Sequence, residues 1–434
     1  MDEPDDVKPD YVISAAENRS TAEYDAVVIG GGPAGLFAAA NLKGMRTVLL
    51  EKTDAPGKKL LLSGLGQCNI THAGTPAELL KHYGGGEHAA FLKPALQAFK
   101  NSDTTAFFGQ YGISFETMEN GKVFPESRSA KDILQALLAA CKTAGAEVRT
   151  GCRVKSIAQS SAGFLIDTGA ETFSAKYLII ACGGKSYPHT GSSGDGYLLA
   201  KSLGHTIVPP KEALTPVYVK QFPLKELSGI SVTDATVRIF RNGTLAAKNA
   251  GDLLITAFGF SGPAVLDAGR WIYAGDILEI SFVHLTPGAF DTLIIERCQN
   301  DGAKAVPNLF YDLGVPERLI HALLSAAGVS ESLKGAQLSA AARKSLVRAF
   351  TAYRAAVDRT GDFSAAMATA GGVSLSEVNK KTCGSKICPN LFFAGEVLDI
   401  DGDTGGYNIQ AAFSTAFLAA SAIRAGNQAD SSRE

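Results

Sequence analysis

The sequence predicts an α/β protein whose parallel domain is built from both ends of the chain and split by an insert, part antiparallel β and part helical. Three observations predict this. Residues 26–51 read as strand, glycine-rich turn, helix and strand. From about residue 216 the chain switches to alternating apolar and polar residues, as in ATVRIFRNGTLAA. Near the C-terminus LFFA, residues 391–394, returns to the unbroken apolar run of a strand covered on both faces.

Residues 1–22 are polar and acidic and read as a disordered or loosely docked extension. The fold then starts with a buried strand at 26–29, a helix opened by Pro33 and Gly35 and running through Asn41, and a second strand at 47–51. Residues 129–141 carry Ile133, Leu137 and Leu138 at helical spacing, with Gly145 as the stop. Short strands follow at 147–149 and 164–167, and 177–182 is a continuous apolar run. The insert shows a hairpin at Asn242-Gly243 and another strand at 275–284. Residues 286–361 read as helical, with Pro316 and Gly328 bracketing one helix and a longer one at 339–358. The expected division is 23–205 with 362–425 for the two-ended domain. The expected insert is 206–285 for the β part and 286–361 for the helical part, and 426–434 is a polar tail.

Composition removes several functions. With 434 residues, 46% hydrophobic and 19% charged, the chain has enough apolar content for two or three domains with real cores. Lys plus Arg is 41 against 43 for Asp plus Glu, which offers no electrostatic footprint for nucleic acid. No apolar run reaches membrane-spanning length, and the acidic start is unlike a signal peptide. Seven scattered cysteines fit a reducing cytoplasm. Cys383 and Cys388, spaced C-x4-C, read as free thiols or a redox dithiol, with no second pair for zinc. The histidines show no metal spacing.

The chemistry sits in three motifs. Gly30, Gly31, Gly32, Pro33, Ala34 and Gly35 lie between strand and helix as G-x-G-x-x-G. The first glycine permits the turn, the second lets backbone approach a pyrophosphate, and the third lets helix pack on strand. Glu51, at the end of the second strand, is placed for a ribose diol, and Lys52 follows it. The alternative is a tight turn with no ligand. At the other end Gly395 and Glu396 follow a strand, and Gly405, Gly406, Tyr407 and Asn408 open a helix. A nicotinamide dehydrogenase has no need of a second such motif, whereas FAD is long. Its adenine half fits the first unit, and its isoalloxazine needs a helix N-terminus near the edge where negative charge develops. Glu396 or Asp401 can hold ribityl hydroxyls. The alternative is a glycine-rich loop capping a core helix. Between them lies GKKLLLSGLGQCNITH, 57–72. Lys58 or Lys59 could reach phosphates, and Ser63, Cys68 and Asn69 are small groups that let backbone pass close to a flavin. The alternative is a polar surface loop.

At these residues the sequence resembles the BaiN-like FAD-dependent oxidoreductases of the glutathione-reductase-type flavoprotein superfamily. The resemblance runs from Tyr24 to about Ala425 and rests on GGGPAG at 30–35, GKKLLLSGLGQCN at 57–69, KVFPES at 122–127, ACGGKSYPHTGSSGDGY at 181–197, FGFSGPA at 258–264, TAGGVSLSEV at 369–378 and FAGEVLDIDGDTGGYN at 393–408. It implies a Rossmann-like FAD domain split by an antiparallel β-barrel-like domain and a small helical domain. It implies that 370–373, including Gly372, and 395–408 lie against the flavin, that the backbone at Val154 meets the adenine, and that Ala181 and Gly183 border the cofactor. Leu65 and Gln67 stand where the family has a glycine and an arginine, Ala257 where it commonly has a histidine, and 382–385 departs from its usual Met-Glu pairing.

The expected protein is therefore a cytoplasmic FAD-dependent oxidoreductase holding FAD non-covalently and acting on a small or medium organic molecule. Tyr187 and His189, on a Gly/Ser-rich loop, are the candidate proton donors or acceptors; a solvent-exposed loop histidine is the plainer reading of His189. The chain has no second G-x-G-x-x-G, so NAD(P)H is expected to visit the substrate cleft and leave. The alternatives are a flavin-dependent RNA-modifying enzyme, a non-catalytic FAD-binding or sensing protein, and a plain NAD dehydrogenase.

Overall fold

The computed structural model describes residues 21–84 and 86–431. Thr21–Ile29 lies inside a seven-stranded sheet. It pairs in parallel with Thr47–Leu50 on one side and Thr172–Ile180 on the other. Glu147–Arg149 extends the first edge, and Leu391–Phe393 docks in parallel beside Thr172–Ile180. The hairpin of Ser156–Ser160 and Gly163–Asp167 pairs antiparallel along the rest of that strand. A strand from near the C-terminus thus lies two places from the first.

Both faces of this sheet are covered, which explains the unbroken apolar runs. Ala26 and Val28 face one core, while Val27 and Ile29 face the other. Tyr177 and Ile179 alternate with Leu178 and Ile180 in the same way. The first core is closed by the helices Pro33–Ala40, Ala130–Ala144 and Tyr407–Ser431. Ala130–Ala144 stops where Gly145 turns left-handed at φ 77.

The insert is a closed barrel of six strands: Val217–Val219, Gly259–Ser261, Thr244–Ile255, Ser231–Arg241, Ile277–Ser281 and Tyr353–Thr360, which returns to the first. Asn242 and Gly243, at φ 50 and 78, make the two-residue turn that a right-twisted hairpin favours. The helices Pro287–Asn300, Glu317–Ala326 and Ala340–Thr351 pack on the barrel with no separate core. Phe290, Phe310 and Phe350 sit among barrel residues such as Val237, Ile280 and Val357.

Several expected boundaries are corrected. The helix read at 339–358 ends at Thr351, and the expected helical part, 286–361, contains the strand that closes the barrel. Ala355 and Val357 point inward, while Arg354 and Asp358 point outward. The partners that make this stretch a strand, Ile277–Ser281 and Val217–Val219, are distant in sequence, so local helix propensity misleads. Ile207–Ala213, expected in the insert, pairs antiparallel with Ala368–Val373 and links the two domains outside the barrel. The last helix runs through Ser431, across most of the expected polar tail. Thr21 and Ala22, expected in the extension, already pair with Thr172 and Phe173. The remainder of the extension, 1–20, lies outside the described residues.

Because barrel and helices share one core, Phe350→Ala is expected to cost about 3–5 kcal/mol while the first domain keeps its cofactor. Chemical denaturation followed by bound-flavin absorption and by far-UV circular dichroism checks this; loss of both signals in one transition with a shared midpoint would contradict it.

Candidate active site

The first strand ends at Gly30, whose φ of 109 and whose approach to Ala181 leave no room for a side chain: a Cβ there would lie 2.5 Å from the Ala181 carbonyl oxygen. At Gly35 a Cβ would lie 1.8 Å from the Gly30 carbonyl oxygen, so only glycine lets the helix sit this close to the strand. Around Gly32 the space is open to 4 Å, and the helix it caps has no side-chain cap. Its first amides are therefore free for an anion. Glu51 accepts from the Gly31 amide at 2.6 Å and from the Thr53 amide and hydroxyl at 2.8 Å, which fixes its carboxylate beside the turn. Lys52 reaches Ser193 at 2.5 Å and Asp195 at 3.0 Å, and Arg153 meets the same Asp195 at 3.2 Å. Val154 is buried nearby in sequence.

The two ends of the chain meet at this turn. A Cβ on Gly395 would lie 2.7 Å from the Ala34 methyl. Lys59 donates to Glu396 at 2.7 Å and to Ser186 at 2.5 Å. Glu396 also accepts from the Thr369 amide at 2.8 Å, and the Thr369 hydroxyl accepts from the Lys185 and Ser186 amides at 2.8 and 3.2 Å. Gly183 and Gly184 pass close: side chains there would face Glu396 and collide with Thr369. Gly372, at φ 144, passes within contact of the Val397 carbonyl. Four segments, carrying 59, 183–186, 369–372 and 395–396, are tied into one polar knot.

The last helix opens from Gly405 and Gly406, at φ 120 and 93. Asn408 spends both ends of its amide on Gly402, accepting from its N–H at 2.8 Å and donating to its carbonyl at 2.9 Å. It braces the loop. The Tyr407 ring stacks on His82 and His72 at 4.4 and 4.9 Å, and its carbonyl accepts from the Tyr83 hydroxyl. Gly395, Glu396, Ile400, Asn408, Ala411 and Thr415 line a small cleft here. Of the two acids offered for ribityl hydroxyls, Glu396 lies in the knot. Asp401 is 2% exposed, turned to Arg270 of the insert at 3.2 Å, and burial raises its carboxyl.

The other expected residues spread out. Lys58 pairs with the exposed Asp54, away from the knot. Ser63 donates to the Leu60 carbonyl, and Cys68, with φ 59, is buried and pushed up to about 11. Burial likewise takes Cys383 to about 12 and raises Cys388, so none of the three is poised as a thiolate. Leu65 occupies the left-handed region at φ 57 and is 96% exposed. Tyr187, also left-handed, is half-buried, which raises its hydroxyl, and its ring meets exposed His189 edge-on at 5.8 Å. No hydrogen bond to the Tyr187 hydroxyl occurs among the described residues.

These residues fit a flavin dinucleotide. The open helix terminus at Gly32 suits a pyrophosphate, and two buried polar atoms lack partners among the described residues: Asn69 Oδ1 and the Tyr197 hydroxyl. Sequence reasoning missed Ser186 and Thr369 as polar anchors, although both lie in motifs it quoted. It also missed Asp267 and Arg270, for which no local signal exists. A cavity of about 530 Å³ lined by Tyr111, Ser114, Glu126, Asp132 and Gln135 shares no residue with this cradle.

A family profile described as the HI0933-like protein Rossmann domain matches residues 24–422. The chain is 32% identical over 407 residues to the 3-dehydro-bile acid delta(4,6)-reductase of Clostridium scindens, covering 90% of this chain and 97% of that protein. It is 32% identical over 406 residues to the ribosomal RNA dihydrouridine synthase of Escherichia coli, covering 92% and 97%. Among solved structures, 3-ketosteroid-delta4-(5alpha)-dehydrogenase from Rhodococcus jostii RHA1 superposes with a TM-score of 0.49 at 15% identity, covering 92% of this chain and 97% of that one.

Two outcomes follow from the geometry. Gly35→Ala is expected to yield folded protein without flavin absorption, because the added methyl drives the helix off the strand; a retained flavin would contradict the packing argument. Asp267 accepts from the Thr404 amide at 2.6 Å, yet burial pushes its carboxyl up to about 6 from 3.8. Its folded value exceeds its unfolded one, so its contribution is fully present below about pH 4 and is lost as pH rises through about 6. Asp267→Asn is therefore expected to be more stable than the parent at pH 7.5, by on the order of 2 kcal/mol, and the gap is expected to close by pH 4. Urea melts at both pH values check the sign.

Proposed function

The chain belongs to this HI0933-like family and is an FAD-dependent oxidoreductase; we propose that its reaction is the reduction of a carbon–carbon double bond conjugated to a carbonyl group in a small organic molecule. One observation carries the proposal. Two relatives matched over at least nine-tenths of this chain are named for such reductions, a delta(4,6)-reductase of a 3-dehydro-bile acid and a dihydrouridine synthase. Both names describe hydrogen added to a double bond polarised by a nearby carbonyl.

The flavin, when bound, supplies the two-electron redox chemistry, and the protein supplies binding, orientation and electrostatics. Gly30 to Gly35 with Glu51 would hold the adenosine and pyrophosphate half. Lys59, Ser186, Thr369 and Glu396 would hold the ribityl region, and Gly405 and Gly406 would present the last helix to the ring. The reduced product needs a proton as well as a hydride. Tyr187 is the favoured one of the two candidate donors, because its hydroxyl is half-buried and uncommitted among the described residues, whereas His189 is exposed to water. NAD(P)H would act as a transient donor through the same cleft, since the insert is an antiparallel barrel with no parallel crevice for a second dinucleotide.

A second reading, a uridine in RNA as substrate, is favoured by one specific feature. Partly exposed aromatic rings of the insert lie against cations: Arg359 is 3.5 Å over Tyr218, which stacks on Phe258 at 4.1 Å, and Arg241 with Lys211 of the linking strand flanks Tyr273 at 4.3 and 3.7 Å. Unpaired bases stack on such platforms. The near-neutral charge of the whole chain, 41 basic against 43 acidic residues, favours the small molecule.

Anaerobic addition of NADPH, then NADH, to the flavin-loaded protein is expected to bleach the visible flavin band, and a conjugated enone is expected to restore it. Recovery with unmodified ribosomal RNA but no enone would select the second reading. A flavin that neither donor reduces would overturn the nicotinamide-driven scheme, and one that no donor–acceptor pair cycles would mark a binding protein. Tyr187→Phe is expected to lower turnover about a hundredfold with FAD still bound; unchanged turnover removes Tyr187 from the reaction.

A further inference from the structure

We propose that Arg270, carried by the inserted barrel domain, is a positioning residue for the flavin end of the cofactor site. The inference rests on FAD binding and on no particular substrate. It starts from the loop that leads into the last helix, DIDGDTGG at 399–406. Three carboxylates stand at alternate positions there, and the loop runs straight into the Gly405-Gly406 pair.

Each acid is gripped from outside the loop. Asp399 accepts from the Gly371 amide at 3.0 Å, with His88 Nε2 at 3.9 Å. Asp403 accepts from His82 at 3.0 Å and from Arg270 Nη2 at 2.9 Å. Asp401 Oδ2 forms an ion pair with the same Nη2 at 3.2 Å without a hydrogen bond between them. Thr404 donates its amide to Asp267 at 2.6 Å. Two of these grips, Asp267 and Arg270, belong to the insert, in the stretch just after its short helix Pro263–Leu266. The flavin-facing loop of one domain is therefore held in place by the other.

Charge explains why Arg270 matters most. Burial raises the carboxyl of Asp401; Arg270 and His88 oppose this, and Asp399 and Asp403 add to it. Arg270 is the cation that both Asp401 and Asp403 meet, and its side chain is only 10% exposed. Without it the acids must take up protons or swing toward water. Either response moves Gly405 and Gly406, which have no slack. A Cβ on Gly406 would already lie 2.5 Å from the Thr71 carbonyl oxygen. Moving them moves the helix N-terminus, whose amides and dipole would stabilise negative charge on a reduced flavin ring.

The guanidinium lies over the Trp271 ring at 5.2 Å, and the acids are the hydrogen-bonding and charged partners it meets among the described residues. Its Nη1 is buried without a partner, in the space beside Gly84 and an equally unpartnered His88 Nδ1. An unpaired buried N–H is costly, and it persists here because Nη2 is drawn to two carboxylates at once. A lysine ammonium can replace the charge but not the planar fork.

The test uses the full chain, stripped of and reloaded with FAD, in Arg270→Met, Arg270→Lys and Asp403→Asn. FAD affinity is read by fluorescence quenching and the midpoint potential of the bound flavin by spectroelectrochemistry. Arg270→Met is expected to raise the dissociation constant about tenfold and to shift the potential negative. Arg270→Lys is expected to recover part of both losses, and Asp403→Asn to move both in the same direction by less. A variant that melts earlier yet keeps the parent affinity and potential would reduce Arg270 to a domain fastener and overturn the proposal. If Arg270→Met fails to fold, parent values in the other two variants overturn it equally. Failure of the parent to bind FAD at all would instead refute the cofactor reading beneath it.

Discussion

The structure depends on one partly buried ion pair, Lys59 with Glu396, formed by residues 337 positions apart. Their side chains are 27% and 17% exposed, so the charges are only partly screened by water. The pair survives because neither charge stands alone. Ser186 and the Thr369 amide complete the shell of Glu396, and Thr369 in turn collects the Lys185 and Ser186 amides. Desolvating a charge is tolerable when its remaining hydrogen-bonding capacity is met. Here that requirement draws in four chain segments, which is how two sequence-distant motifs become one polar site, the proposed cofactor cradle.

The insert sits within this arrangement as more than a passenger. Its barrel is closed by a strand that follows the helices, so barrel and helices fold as one apolar unit. It is joined to the first domain by the two-stranded link of Ile207–Ala213 with Ala368–Val373, whose second strand also carries Gly371 and Gly372 of the cradle. It also grips the acidic loop through Asp267 and Arg270. Backbone pairing and charge thus both bind the position of the insert to the place where a flavin ring would lie.

Glycine does the complementary work. Gly30, Gly35, Gly183, Gly372, Gly395 and Gly406 stand where a methyl would collide with backbone or side chains, or where φ is positive. The polar knot supplies attraction, and these glycines remove the atoms that would hold the segments apart. Leu65 is the contrast: it keeps a left-handed conformation with a nearly fully exposed side chain, and nothing in the structure explains it.

The sequence by itself determined the parallel domain, its return near the C-terminus, the glycine-rich strand-to-helix turn and the antiparallel character of the insert. Those features are local: apolar runs, alternation, and glycines at fixed offsets announce themselves to their immediate neighbours. Tertiary structure decided what depended on distant partners. Residues 353–360 became a strand only because two other strands were waiting for that edge. Lys58 and Lys59 are neighbours of the same type, yet one meets an exposed aspartate and the other the knot. Asp401 and Glu396 looked equivalent in one acidic motif until folding placed a barrel arginine beside the first and a loop lysine beside the second. Charge is written in the sequence, but the dielectric and the partner that decide its role are set by what the fold brings near.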